Sequence, residues 1–127
     1  MDISKINTYI CNMISKDLLK GTLKTIVLKL LEDNERMYGY EITKEVEKLS
    51  EGKIVLSWGG LYPLLHKLEK DKLIRSEEEN IGKRVRKYYS LTDTGSSVVK
   101  EKVQEFLDFV SIVGGIIQAP QPGLNFS

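Results

Sequence analysis

The sequence predicts a mainly helical fold carrying one small β-hairpin, and three observations predict it. Apolar residues recur at helical spacing through most of the chain. Two β-prone runs meet at Asn80-Ile81-Gly82-Lys83, where Asn and Gly favour a tight turn. A further long helical pattern begins directly after the second run. The expected segments are 1–19, an amphipathic N-terminal helix; 20–92, a helix-and-hairpin unit; 93–118, a C-terminal helix; and 119–127, an irregular tail.

Ile3, Ile6, Ile10, Met13 and Ile14 follow helical spacing and give the N-terminal helix one apolar face. A second helix is expected from about Thr22 to Glu32, because Leu23, Ile26, Val27, Leu30 and Leu31 fill the i, i+3, i+4, i+7, i+8 template. Asp33-Asn34-Glu35-Arg36 is a polar break. A third helix begins near Tyr38-Gly39-Tyr40, turns Ile42, Val46 and Leu49 inward, and stops around Ser50-Glu51-Gly52, where glycine suits a helix end. Lys53 to Leu56 is a short β-prone link, and Ser57 is an N-cap for the next helix. That helix has Leu61, Leu65 and Leu68 on one stripe, widened by Leu64, and leaves Gly60, Tyr62, Pro63, His66, Lys67 and Lys70 outward. Pro63 removes a hydrogen bond to Gly59, so the helix is either bent there or starts in effect near Gly60.

The hairpin strands are expected at Leu73 to Glu79 and Arg84 to Leu91. Alternation puts Val85, Lys87, Tyr89 and Leu91 on one face, which suits packing on the helices, and Arg84, Arg86, Tyr88 and Ser90 on the other. A short helix followed by such a ribbon is a winged helix-turn-helix arrangement. Residues around Ser57 to Lys67 would enter a major groove, with Tyr62 at the point of contact, while Lys83, Arg84, Arg86 and Lys87 would hold phosphate or minor groove. Two plainer readings stay open: the wing cations pair with Glu77, Glu78 and Glu79 across the ribbon, and Tyr62 packs on the wing.

The last helix starts at the N-cap Thr92 and carries Val99, Val103, Phe106, Val110, Val113 and Ile117 at steps of 4, 3, 4, 3, 4, a heptad seam. Leu107, Phe109, Ile112 and Ile116 add apolar surface beside it. This surplus argues for a second subunit, with Ile3, Ile6 and Ile10 assisting. An intramolecular helix pair is the alternative. Gly114-Gly115 loosen the helix near its end.

Composition narrows the function classes. The chain has 127 residues, enough for one cored domain, and 19 basic against 18 acidic residues, a net charge of +1. Any nucleic-acid binding must then depend on a concentrated patch at the wing tip. The single Cys11 permits no internal disulfide and reads as a packed hydrophobe. No apolar run approaches the ~18 residues of a membrane span, and the N-terminus is amphipathic rather than signal-like, so a cytoplasmic, membrane-free protein is expected. His66 has no Cys, His or spaced carboxylate near it in sequence, and no phosphate loop, dinucleotide fingerprint or nucleophile elbow occurs. No enzyme activity, catalytic residue, metal or cofactor is expected.

Three stretches together resemble the signatures of the PadR family of bacterial transcriptional regulators: Tyr38-Gly39-Tyr40-Glu41-Ile42, Gly60 to Glu69, and Gly82 to Gly95. The resemblance runs over about residues 20 to 95 in matching order. Trp58-Gly59 precedes Gly60-Leu61 where the family commonly has Pro-Gly-Thr, and Asp71-Lys72 stands where a glycine often ends the helix. The resemblance implies a homodimeric DNA-binding repressor, joined through its C-terminal helix and often released by a small molecule, here aromatic or drug-like. Double-stranded DNA with a pseudo-palindromic operator is the implied partner. The DNA-contacting set it suggests is Tyr38, Tyr40, Ser57, Gly60, Tyr62, Pro63, His66 and Lys67 with the wing cations. Trp58, Phe106 and Phe109 are the aromatic candidates for an effector wall, although plain packing is the readier role for each. A protein-binding winged helix and a ligand-sensing dimer without specific DNA binding are the rival functions.

Overall fold

The computed structural model describes residues 14–119. The expected apolar face at Ile3, Ile6, Ile10 and Met13, and the tail beyond Ala119, lie outside the described residues. In chain order the elements are α1 (Lys16–Lys20), α2 (Leu23–Asp33), β1 (Met37–Tyr38), α3 (Gly39–Leu49), α4 (Trp58–Lys70), β2 (Ile74–Ile81), β3 (Arg84–Leu91) and α5 (Asp93–Gln118). The strands form one antiparallel sheet in the order β1-β3-β2.

Three of the described helix starts, those of α1, α4 and α5, follow side-chain capping. Ser15 Oγ accepts the Leu18 N–H at 3.2 Å, Ser57 Oγ accepts the Gly60 N–H at 3.2 Å, and Thr92 Oγ1 accepts the Gly95 N–H at 3.0 Å. Ile14, expected on the N-terminal apolar face, precedes the Ser15 cap and lies outside α1, with its N–H on the Lys53 carbonyl. At α3 the Glu41 carboxylate reaches back to the Tyr38 N–H at 3.1 Å, satisfying one of the free donors of that helix start. α4 begins at Trp58 and runs through Pro63 to Lys70, so it does not start at Gly60.

The core gathers Val27, Leu28, Ile42, Leu61, Leu65, Leu68, Ile74 and Val99, all under 2% exposed. Leu28 lies off the stripe read from α2. It is buried because α2 packs against both α5 and β3, so a second side of the helix is covered. Leu49, expected inward, is 64% exposed at the last residue of α3. Tyr89 is 2% exposed, and burial pushes its phenol pKa up.

The sheet differs from the expected two-stranded hairpin in two ways. Met37 and Tyr38 pair with Tyr89 and Tyr88, adding a third strand too short to show a period-two pattern. The hairpin is also tighter: Ile81 lies opposite Arg84, which leaves only Gly82-Lys83 as the turn, with Gly82 at φ +62°. Asn80 and Ile81, read as turn residues, belong to β2 because each has a ladder partner on β3, Val85 and Arg84.

The α4–β2 corner is where α5 docks. Lys72 has a φ of +62° at the turn where glycine would be unstrained, and the Leu73 N–H closes on the Leu68 carbonyl at 3.0 Å. The Thr92 hydroxyl donates to the Lys72 carbonyl at 2.6 Å, and the Thr92 N–H to the Leu73 carbonyl at 3.0 Å. Gly95 is buried against this corner, where a Cβ would collide with the Leu73 carbonyl oxygen. Backbone cannot swing aside as a side-chain tip can. Gly95→Ala should therefore lower stability by about 1–3 kcal/mol in denaturant melts, while Gly115→Ala, in open space on the same helix, should raise it by about 0.5–1 kcal/mol. Equal effects of the two substitutions would contradict this packing.

Candidate nucleic-acid interface

α4 begins with two half-exposed aromatic rings and bare backbone. Trp58 is 50% exposed and Tyr62 44%, with ring centroids 5.3 Å apart; His66 stacks on Tyr62 at 6.4 Å one turn on. The spacings 58, 62 and 66 put all three along one exposed stripe of the helix, beside the stripe of the buried Leu61, Leu65 and Leu68. Gly59 has nothing within 4 Å of where a Cβ would stand, so a partner can approach its backbone closely. Ser57, Gly60, Pro63 and Lys67 are all exposed on this part of the chain. Lys67 is paired at 3.1 Å with Asp71 on the helix surface.

Gly39 explains how the helix start meets the neighbouring turn. The Trp58 ring lies over it so closely that any Cβ would run into the indole. Tyr38 and Tyr40 flank this contact with centroids 6.3 Å apart, Tyr40 being well exposed. Tyr38, Tyr40, Trp58, Tyr62, Arg84, Arg86 and Lys87 line one open groove of about 640 Å³ between α4, the α3 start and the wing. Six of the twelve residues in the expected DNA-contacting set line this groove, and they come from both of its halves: Tyr38, Tyr40 and Tyr62 on the aromatic side, and Arg84, Arg86 and Lys87 on the basic strand β3. Neither Phe106 nor Phe109 lines it with Trp58.

The wing face is more organised than alternation alone suggests. Cross-strand partners Glu77 and Tyr88, and Glu79 and Arg86, share a face with Tyr38 of β1. Arg86 lies over the Tyr38 ring at 4.0 Å and donates to the Tyr88 hydroxyl at 3.3 Å, a hydrogen bond that holds its pKa above the ordinary arginine value. The wing acids Glu77 and Glu79 pair with Arg36, at 3.2 and 2.6 Å, rather than with the wing's own arginines. Glu79, then Glu77, raise the Arg36 pKa in turn. Lys87 reaches Glu69 of α4 at 3.7 Å, which the Ser76 hydroxyl also meets at 2.5 Å. Lys83 and Arg84 stand exposed at the tip.

Of the residues that sequence reasoning passed over, Arg36 matters most. The sequence shows it only within a polar break, although the three consecutive glutamates Glu77, Glu78 and Glu79 on a strand are a signal that some cation must offset them. On the seam of α5, Val99 is fully buried in the core of its own chain and Val103 packs against that core. Phe106 and Val113 are half-buried, and Val110 and Ile117 are exposed, as are Leu107, Phe109, Ile112 and Ile116. Among the described residues, no helix is long and apolar enough to cross a membrane.

The family described as Transcriptional regulator PadR-like matches residues 27–101. Protein X of Lysinibacillus sphaericus is 31% identical over 104 residues, covering 80% of this chain and 93% of that one. The structure of a transcriptional regulator from Clostridium thermocellum superposes with a TM-score of 0.75 at 30% identity, over 83% of this chain and 99% of the other. Bacillus subtilis PadR, solved in complex with operator DNA, superposes with a TM-score of 0.59 at 26% identity; the likeness covers 65% of this chain and 45% of that one.

The fit of Trp58 over Gly39 can be tested directly, since Trp58 is the sole tryptophan. Gly39→Ala should drive the indole off the α3 start, shifting its emission to the red and raising its quenching by acrylamide, with helix content preserved. Unchanged emission would show that the ring does not rest there.

Proposed function

The chain belongs to the PadR-like family of transcriptional regulators, and we propose that within it this protein is a homodimeric, sequence-specific DNA-binding repressor that a small-molecule effector releases. The observation that carries the DNA-binding part is the shared groove, in which the exposed start of α4 and the cations of β3 offer a helix end and a basic ribbon on one side of the molecule. Tyr38, Tyr40, Ser57, Gly60, Tyr62, Pro63, His66 and Lys67 form the proposed major-groove set. Lys83, Arg84, Arg86 and Lys87 form the proposed phosphate or minor-groove set. With a net charge of only +1, the contact is a local one.

Dimerisation is supported by the distal half of α5. Leu107, Phe109, Val110, Ile112, Ile116 and Ile117 are each between 48% and 74% exposed, an apolar surface that a second copy would cover. The seam of the proposed interface therefore runs through Phe106, Val110, Val113 and Ile117, after Val99 and Val103 have served the chain's own core. Two-fold symmetry then calls for a pseudo-palindromic operator with half-sites about one turn, near 10 bp, apart or a multiple of it. Repression and effector release are supported by the family likeness, and Trp58, Phe106 and Phe109 are the aromatic side chains proposed for an effector wall, for a ligand of aromatic or drug-like character.

Arg84→Ala combined with Arg86→Ala should weaken operator binding and reduce the slope of log affinity against log salt by about two units, one for each lost phosphate contact. Arg84→Ala alone serves as the control for wing packing, because Arg86 rests on Tyr38. Unchanged affinity in the double variant would rule out the wing assignment. In sedimentation, Ile112→Asp with Ile116→Asp should halve the mass of the particle; an unmodified protein that sediments as a monomer would rule out the dimer.

A further inference from the structure

We propose that Arg36 is a positioning residue for DNA binding: it straps the wing and occupies the wing's acids, so that Arg86 stays directed at the groove. The proposal rests on the DNA-binding reading above. Its basis is a competition visible on one face of the sheet. Glu79 lies directly across from Arg86, and Glu77 directly across from Tyr88. A cross-strand glutamate and arginine in register are natural partners, and an Arg86 paired with Glu79 would present a neutral pair to an approaching phosphate.

Arg36 prevents that pairing. Its Nη2 is 2.6 Å from Glu79 and its Nη1 3.2 Å from Glu77, so one guanidinium fork holds both carboxylates. The same guanidinium lies 3.8 Å over the Tyr88 ring. Tyr88 in turn meets Tyr38 edge-on at 5.5 Å, and Arg86 lies over Tyr38 at 4.0 Å with its Nη1 3.3 Å from the Tyr88 hydroxyl. Two touching rings, Tyr88 and Tyr38, thus lie between the two cations Arg36 and Arg86.

The placement in the chain gives the strap its reach. Arg36 immediately precedes β1, one edge of the sheet, and its partners lie on β2, the other edge, so the side chain crosses the central strand β3. Lysine could supply the charge but not the fork or the flat face over Tyr88. Without Arg36, two carboxylates on the phosphate-facing side would be left to Arg86 and would repel the backbone they face.

The test is operator affinity and its salt dependence, with melting temperature measured alongside, for Arg36→Met, for Glu77→Gln with Glu79→Gln, and for all three together. Arg36→Met should weaken binding by about tenfold and reduce the salt slope by about one unit, as Arg86 turns to Glu79. Adding the two glutamine substitutions should restore most of the lost affinity, because no carboxylate then competes for Arg86. Wild-type affinity in Arg36→Met would overturn the proposal. So would a triple variant as weak as Arg36→Met, which would mean that Arg36 touches phosphate itself or only stiffens the wing. If the unmodified protein prefers no duplex, the DNA-binding reading fails and this proposal falls with it; normal wild-type binding with an indifferent Arg36→Met sinks the proposal alone.

Discussion

The pairing of Met37 and Tyr38 with Tyr89 and Tyr88 is the contact on which the rest of the molecule depends. One side of this two-residue ladder is core: Met37 and Tyr89 are 5% and 2% exposed. The other side is interface, where Tyr38 and Tyr88 meet edge-on and receive Arg86 and Arg36 on their faces. A strand alternates its side chains, so fixing Met37 and Tyr89 in the core fixes Tyr38 and Tyr88 on the opposite face of the sheet, where Tyr38 and Arg86 reach the groove. The next residue, Gly39, opens α3 and accepts the Trp58 ring, so the same short segment also sets where α4 starts relative to the wing.

A chain with balanced charge can still present a basic surface if its acids are engaged elsewhere. Here Glu77 and Glu79 are held by Arg36, Glu69 by Lys87 and Ser76, and Asp71 by Lys67, which leaves Lys83 and Arg84 exposed at the wing tip. Each of these surface pairs contributes little to stability by itself. Their effect is one of direction: they decide which cations face outward within a screening length of about 8–10 Å. The aromatic rings of Tyr38 and Tyr88 add geometry that ion pairs alone lack.

Much of this was legible in the sequence, and what was not has identifiable physical causes. α2, α4 and α5 follow from apolar periodicity and from the caps Ser57 and Thr92, because a helix with one buried stripe writes that stripe into its sequence. Leu28 escaped because α2 is covered on two sides, and β1 escaped because two residues carry no period. The aromatic start of α4 and the arginines of β3 were legible as two parts of a winged helix from the order helix then hairpin; their common groove was not, because it depends on Gly39, whose role is a contact some twenty residues away in the chain. Arg36 was legible only as an unbalanced acid run, since its partners lie 41 and 43 residues on. On α5, a single heptad seam hid a division of labour, with Val99 in the core and the exposed apolar residues beyond it.

The central claim is that α4 and the wing engage one DNA duplex together, and a titration with labelled DNA from upstream of the protein's own gene tests it most directly. Anisotropy and Trp58 fluorescence should be followed together at two salt concentrations, with a scrambled duplex as control. Binding at about 10⁻⁸ M or tighter, preferring the upstream duplex, weakening steeply with salt and changing the Trp58 signal along the same curve, is the result expected here. Weak and equal binding to both duplexes, with Trp58 unperturbed, would contradict it.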